Sequence, residues 1–426
     1  MTQWRKDDMR AGTKNHWKEM VALTGLLVMV LSAPFAFGQG KKSKNTKTGT
    51  NPAQQPRLVF DIRELVWPNP PSVARVKYMN MLTGEKIDWD AINPKTGKKR
   101  RSWMDRLAGS DPDAIAGSGV KVPYQLIRPY GIAVDAEGRI YTADQGVDAI
   151  FIFDTQKQSV ELIRNGYEAH FGLMNGLAID DNDRLFVSDM KLRQILVFDA
   201  KHKFEMGFGN DVLGRPGGLA IDRLNRFLYV VDTDKDIVDV FDADSFKLLR
   251  HIGTPGKKHT LTEPGTFSLP SSVALDKDGN VYVTDTLNNR VEIFDPDGNF
   301  ISMFGKNNDG PGGFTRPKGI AVDSDKNVWV MDTYQDRLKV FDQEGRLLAY
   351  IGGHGNYPGQ FMAGFGVAID AHDRVITSEQ WPGRLQVFQY VTNAEAEKAK
   401  QEQSPSEKAA PGGQNGTANK KDSAAQ

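Results

Sequence analysis

An all-β chain, folded as a six-bladed β-propeller of four-stranded antiparallel blades, is predicted by three features: a phrase repeated six times, its period, and the alternation inside it. "GIAVD" at Gly131–Asp135 returns as "GLAID" at Gly176 and Gly218, "SVALD" at Ser272, "GIAVD" at Gly319 and "GVAID" at Gly366, in steps of 45, 42, 54, 47 and 47 residues. After each copy come a turn, a strand ending in an acid ("IYTAD", "LFVSD", "LYVVD", "VYVTD", "VWVMD", "VITSE"), a polar loop, and a strand with an aromatic near its end, as in "VEIFD". Five copies add a fourth short strand. Period-2 alternation and β-branched richness exclude helical solenoids of similar period. One blade cannot cover both of its faces; a closed ring of blades does so and shields the strand edges.

Taken in order, the chain opens with an export signal. Arg5, Lys6, Arg10, Lys14 and Lys18 precede an apolar run from Met20 to Leu31, Pro34 breaks the run, and Ala36-Phe37-Gly38 offers small residues for cleavage, giving a signal peptide over residues 1–38. The run is short for the ~20 residues of a membrane span. The membrane is therefore expected to be met only in transit, and the mature chain to be periplasmic or secreted; an uncut anchor is the alternative. The absence of Cys excludes disulfides and thiolate chemistry. Residues 39–56 are polar and apolar-poor, a disordered linker. The propeller is expected over residues 57–392. The sixth copy stops after "RLQVFQY", and "ARVKYMNM", at about residues 74–81, alternates like the missing fourth strand, so it is predicted to close the last blade. The insert at 82–127 carries "KKRRSWMDRLAG", Lys98–Gly109, with Trp103 and Leu107 four apart on a short predicted helix. It reads equally as a lid or docking element and as a helix packed on the ring. Residues 393–426 hold almost no large apolar side chain and are expected to be a disordered tail.

Within a blade, Asp276 and Gly279 suit a tight turn. Phe153, Phe198, Phe241, Phe294, Phe341 and Phe388 recur at one register and should fill the gaps between blades. Asp285 with Arg290, and Asp332 with Arg337, bracket their loops as structural clamps rather than catalytic couples, because an acid stands there in every blade. The stretches Val273–Gly305 ("VALDKDGNVYVTDTLNNRVEIFDPDGNFISMFG") and Gly319–Gly352 resemble NHL repeats, and "LVWPNPP", Leu65–Pro71, resembles the upstream segment of bacterial exported NHL-repeat proteins. The resemblance implies a six-bladed propeller and no single activity. Members include RNA-binding regulators, sensor domains, a peptide-amidating lyase and interaction modules.

Candidate ligand contacts follow from ring-equivalent positions at the channel rim. They are Arg128, Tyr130, Asn175, Arg215, Arg316, Lys318 and Phe365, with Trp381 nearby. The Arg and Lys side chains suit an anion and the aromatics suit stacking. The competing reading pairs the Arg side chains with the loop acids Asp144, Asp189, Asp232 and Asp332. No catalytic set, metal or cofactor is assigned. His170, His259 and His354 lie in inter-blade loops and, with Asn175, are the remaining metal candidates. Residues 126–392 carry 28 Lys/Arg against 38 Asp/Glu, and this acidic body argues against nucleic acid. The leading expectation is an exported, non-catalytic binding module or scaffold that recognises a protein, peptide or glycan on its channel face. The alternatives are a metal-dependent lyase or lactonase of the propeller type and a scaffold tethered at the cell envelope.

Overall fold

The repeated phrase forms the strand nearest the axis in every blade: Pro129–Val134, Met174–Ile179, Pro216–Asp222, Pro270–Leu275, Pro317–Val322 and Gly364–Ile369. The computed structural model describes residues 65–69, 72–86, 123–167, 169–254 and 263–403, all within a unit running from Phe60 to Gln426. Each inner strand pairs antiparallel with a second strand ending in the repeated acid, then a third, then an outer strand, giving the six four-stranded blades expected. Each inner strand also touches the inner strands of both neighbouring blades, and the sixth touches the first, so the ring is closed.

The inner phrase begins with glycine in five blades because the backbones of adjacent blades nearly touch there. A Cβ on Gly319 would stand 2.3 Å from the carbonyl oxygen of Phe365, and one on Gly366 would stand 2.4 Å from that of Tyr130. Hydroxyls then stitch blade to blade. Ser188 Oγ donates to Gly217 O (2.6 Å), Thr284 Oγ1 to Lys318 O (2.8 Å) and Ser378 Oγ to Tyr130 O (2.5 Å). Just beyond the acids, Thr233, Thr286 and Thr333 donate to Pro270 O, Pro317 O and Gly364 O of the following blade.

The apolar core consists of six clusters, each straddling two neighbouring blades. The six Phe of the third strands are buried in them. Phe198, Phe294, Phe341 and Phe388 each meet a second Phe from the loop entering their blade: Phe171, Phe267, Phe314 and Phe361. Such pairs add about 0.5–1.5 kcal/mol beyond their area.

Blade six is completed from the N-terminal side, as expected, by the strand Val76–Leu82, which pairs with Arg384–Tyr390 in the register Val76↔Tyr390 and Tyr78↔Phe388. Tyr78 packs edge-on against Phe388 with centroids 5.4 Å apart. Arg75 donates to Val391 O, Tyr390 Oη and Asn393 Oδ1, tying the two chain segments together past the end of the ladder. A fifth, two-residue strand, Val66–Trp67, pairs outside Val76–Leu82 and seats Trp67 on Phe388. Sequence patterning did not single it out, since two residues carry no period. Residues Asn393–Gln403, read from composition as the start of the disordered tail, form a helix. Thr392 and Glu395 cap it reciprocally, and Ala396 is buried. The signal, the linker, most of the insert and the rest of the tail lie outside the described residues.

If close approach dictates the inner glycines, Gly366→Ala should lower stability by about 1–3 kcal/mol. Gly353→Ala, whose added methyl meets no atom within 4 Å, should change little. Denaturant unfolding of the two variants checks this; equal losses would remove the explanation.

Candidate functional site

Loops joining second to third strands, and outer strands to the next blade, leave the disc on one face. The axial channel, lined by the inner strands, encloses about 220 Å³ and reaches Asn175, Ser271 and Phe365 at the end of those strands nearest this face. The acids that end the second strands lie just beneath that face, and every one is fully buried. In blades one, three and five their oxygens accept from backbone. Asp144 accepts from the N–H of Ile127, Arg128, Gly146 and Val147, Asp232 from Gly214 and Arg215, and Asp332 from Thr315 and Arg316. Burial raises the pKa of Asp144, and those four N–H bonds oppose the rise.

These acids therefore hold the rim arginines by their main-chain N–H and leave the guanidinium groups alone. Arg128, Arg215 and Arg316 are exposed, and among the described residues their side chains have no ion pair or hydrogen bond. They stand in blades one, three and five, and Leu173, Leu269 and Ala363 fill the equivalent places in blades two, four and six. The proposed clamps divide. Arg290 pairs with Asp285 at 3.0 Å, and Arg384 makes the same pair with Glu379 at 2.9 Å. Asp332 instead meets the buried Lys339 at 3.2 Å, and Arg337 lies over the Tyr350 ring. This corrects the expected Asp332–Arg337 pair. Lys339 is set deeper along the same strand, where it also donates to Gln335 Oε1 and Gly313 O.

At the mouth itself, Tyr130 and Phe365 lie with ring centroids 3.8 Å apart. Lys318 places its amine 5.8 Å from the centroid of Phe365. Its carbonyl accepts from Thr284 and Ser271, so its backbone is fixed by blade four. Lys318 has no carboxylate within ion-pair distance among the described residues. Its pKa is drawn down to about 8, first by desolvation and then by the positive charges of Arg316 and Arg215. The charges of Arg316 in blade five and Arg215 in blade three thus both reach the Lys318 amine. Asn175 is buried beside Met190, to whose sulfur its amide lies at 3.1 Å.

Trp381 is exposed, two residues past the acid of blade six, whereas Tyr130 and Phe365 are half-buried. The equivalent places in blades four and five hold Leu287 and Tyr334, also exposed. Half of this face thus carries an apolar arc, of which sequence reading singled out only Trp381; counting two places past each acid would have found the rest. His170 and His354 sit in separate inter-blade loops, with His354 Nδ1 2.7 Å from Asp336; His259 lies outside the described residues. Among the described residues no three His, Cys, Asp or Glu gather closely enough to hold a metal ion.

A model of the SMP-30/gluconolactonase/LRE-like region matches residues 174–305, the span of blades two to four. The NHL-repeat resemblance finds no confirmation beside it. No curated protein matches the chain in sequence. Among solved structures, a protein of unknown function from Bacteroides thetaiotaomicron is similar at 17% identity and a TM-score of 0.51, over 63% of this chain and 71% of that one. A gluconolactonase from Xanthomonas campestris follows at 19% identity and a TM-score of 0.48, over 66% of this chain and 96% of that one. A virginiamycin B lyase from Staphylococcus aureus has 13% identity and a TM-score of 0.46, over 62% and 96%. The likeness is one of fold.

The convergence of charge at Lys318 has a measurable sign. A lysine whose folded pKa lies below its unfolded value binds fewer protons folded than unfolded between the two values, so stability rises with pH across that window. The wild-type chain should gain stability from about pH 8 towards the ordinary lysine range near ~10.4. Lys318→Met should flatten that rise, and Arg215→Ala should move the amine upward. Unfolding at a series of pH values, with NMR of methylated lysines, checks both; an amine titrating in the ordinary range would show that the charges do not converge.

Proposed function

We propose that the protein is a binding module or scaffold that takes an anionic group of a protein, peptide or glycan partner at its channel mouth. The observation that carries this reading is a set of cations with no ion pair among the described residues: Lys318, over the ring of Phe365 in the Tyr130–Phe365 pair, and Arg316 and Arg215, whose charges reach its amine. A carboxylate or phosphate entering there would meet two guanidinium forks and relieve the repulsion among the three cations. The arc of Leu287, Tyr334 and Trp381 offers an adjoining apolar contact.

The match over blades two to four supports a second reading, a metal-dependent lactonase or lyase. Such an ion would need oxygen or imidazole ligands converging on the channel. The rim of blades two to four offers Asn175, Gly217 and Ser271, with Arg215 beside them, and the rest of the rim adds cations and aromatics. That donor set does not fit a divalent cation. We place the module outside the cytoplasm, on the pattern of Arg5 to Gly38. N-terminal sequencing of the mature protein should find a start near residue 39; a retained Met1 would favour a tethered scaffold instead.

Calorimetric titration with a glutamate-rich peptide and with an oligogalacturonate should detect binding by at least one, weakening as salt rises. Arg215→Ala and Arg316→Ala should each cost about tenfold, the value of one charge-assisted hydrogen bond. Binding unchanged in the double variant, or stoichiometric metal together with lactone hydrolysis, would overturn the reading.

A further inference from the structure

We propose that Lys318 is a nucleophilic amine that captures the free carbonyl of an anionic ligand, a 2-oxo acid or an aldehydic acid, as a reversible imine. The inference rests on the anion-binding reading of the same mouth and deepens it by naming the second functional group the ligand must carry.

Four observations meet at this side chain. First, Lys318 has no hydrogen bond or carboxylate partner among the described residues, whereas Lys157 faces Asp154, Lys326 faces Asp278 and Lys339 faces Asp332. Second, the amine lies against the face of Phe365, itself packed on Tyr130, so one side of it is apolar. Third, the charged groups that act on it are both cations, Arg316 two residues before it and Arg215 from blade three. Partial burial and neighbouring cations both favour the neutral amine, which is the nucleophilic form. Fourth, its main chain is pinned by Thr284 and Ser271, which fixes the root of the side chain at the channel mouth.

The same arginines that disfavour the ammonium form also supply the site for a carboxylate. With the carboxylate on Arg215 and Arg316, the neighbouring carbonyl carbon is brought to Lys318 Nζ. The amine lone pair attacks that carbon, a C–N bond forms, and the carbonyl oxygen takes up a proton. The carbinolamine then loses this oxygen as water to leave the protonated imine. Amine, carbonyl compound and one proton give iminium and water, with no oxidation or reduction. The new positive charge replaces the ammonium charge that the arginines disfavour, and the ligand carboxylate offsets it.

The test incubates the full-length protein with glyoxylate or pyruvate in sodium cyanoborohydride at pH 7.5, followed by intact-mass and peptide mass spectrometry. One reduced adduct at Lys318 is expected, formed at least about tenfold faster than at Lys157 or Lys326. Arg215→Ala with Arg316→Ala should slow it by a similar factor, and Lys318→Arg, which keeps the charge and much of the stem, should abolish it. Adducts spread over surface lysines, or labelling unaffected by Lys318→Arg, would overturn the proposal. Titration with propionate, which has the carboxylate and no carbonyl, separates the two readings. Propionate binding that depends on Arg215 and Arg316 without an adduct leaves the anion site standing and removes the imine. Loss of both removes both.

Discussion

The spacing of the inner strands governs everything built outside them. Six backbones converge on one axis, and at Gly319 and Gly366 the next blade's carbonyl lies closer than any Cβ could tolerate. That approach puts the inner-strand carbonyls within reach of Ser188, Thr284 and Ser378, so the hydroxyls of one blade can satisfy the backbone of the next. A wider ring would leave those buried groups without partners, at a cost of about 1–3 kcal/mol each. Strand spacing, hydroxyl stitching and channel width are one constraint seen three ways.

Because the apolar clusters lie between blades, no blade carries a complete core. The pairing of Val76–Leu82 with Arg384–Tyr390 completes the blade that joins the ends of the ring. Tyr390 extends the join sideways, since its hydroxyl donates to Asp325 and accepts from Asn327 of blade five. A buried polar belt adds a second tie. The third residue of the third strand is Phe151 and Leu196 in blades one and two, but Asp239, Glu292, Lys339 and Gln386 in the others. Three of these reach the loop entering their own blade: Glu292 accepts from Gly265 N, Lys339 donates to Gly313 O, and Gln386 donates to Gln360 O. Phe151 and Leu196 show that a blade can be built without them. The polar choice orders the connecting loops, and burial pushes the Glu292 carboxyl up to about 7 in doing so.

The parts of this architecture that were legible in the sequence are those that repeat. Glycine, acid and phenylalanine each recur at a fixed register because each answers a demand every blade shares. The closing strand was legible because it filled a gap in the count. What escaped has no period: the two-residue strand Val66–Trp67, the capped helix after Thr392, and the exchange of Lys339 for Arg337 as the partner of Asp332. That exchange turns on how far a side chain reaches along a pleated strand, and two cations on one strand look alike as letters. At the mouth, ring-equivalent positions picked out the arginines and Lys318, but not what their acids would do. An acid drawn beside an arginine reads as an ion pair. Here the carboxylate spends its lone pairs on the arginine's own backbone N–H.

That use of the acids explains how an acidic body carries a positive mouth. Beneath the rim arginines, Asp144, Asp232 and Asp332 accept from main-chain donors, and the cations that do pair with acids, such as Arg290, Lys339 and Arg384, are buried away from the rim. Net charge is therefore a poor guide to the field at the channel. The arrangement also separates scaffold from chemistry. Each rim arginine is held through its main-chain N–H, so its side chain can be exchanged without disturbing the ring. Arg128, Arg215 and Arg316 occupy places that Leu173, Leu269 and Ala363 fill equally well in the alternate blades. It follows that the function of such a ring has to be read from the side chains at its mouth.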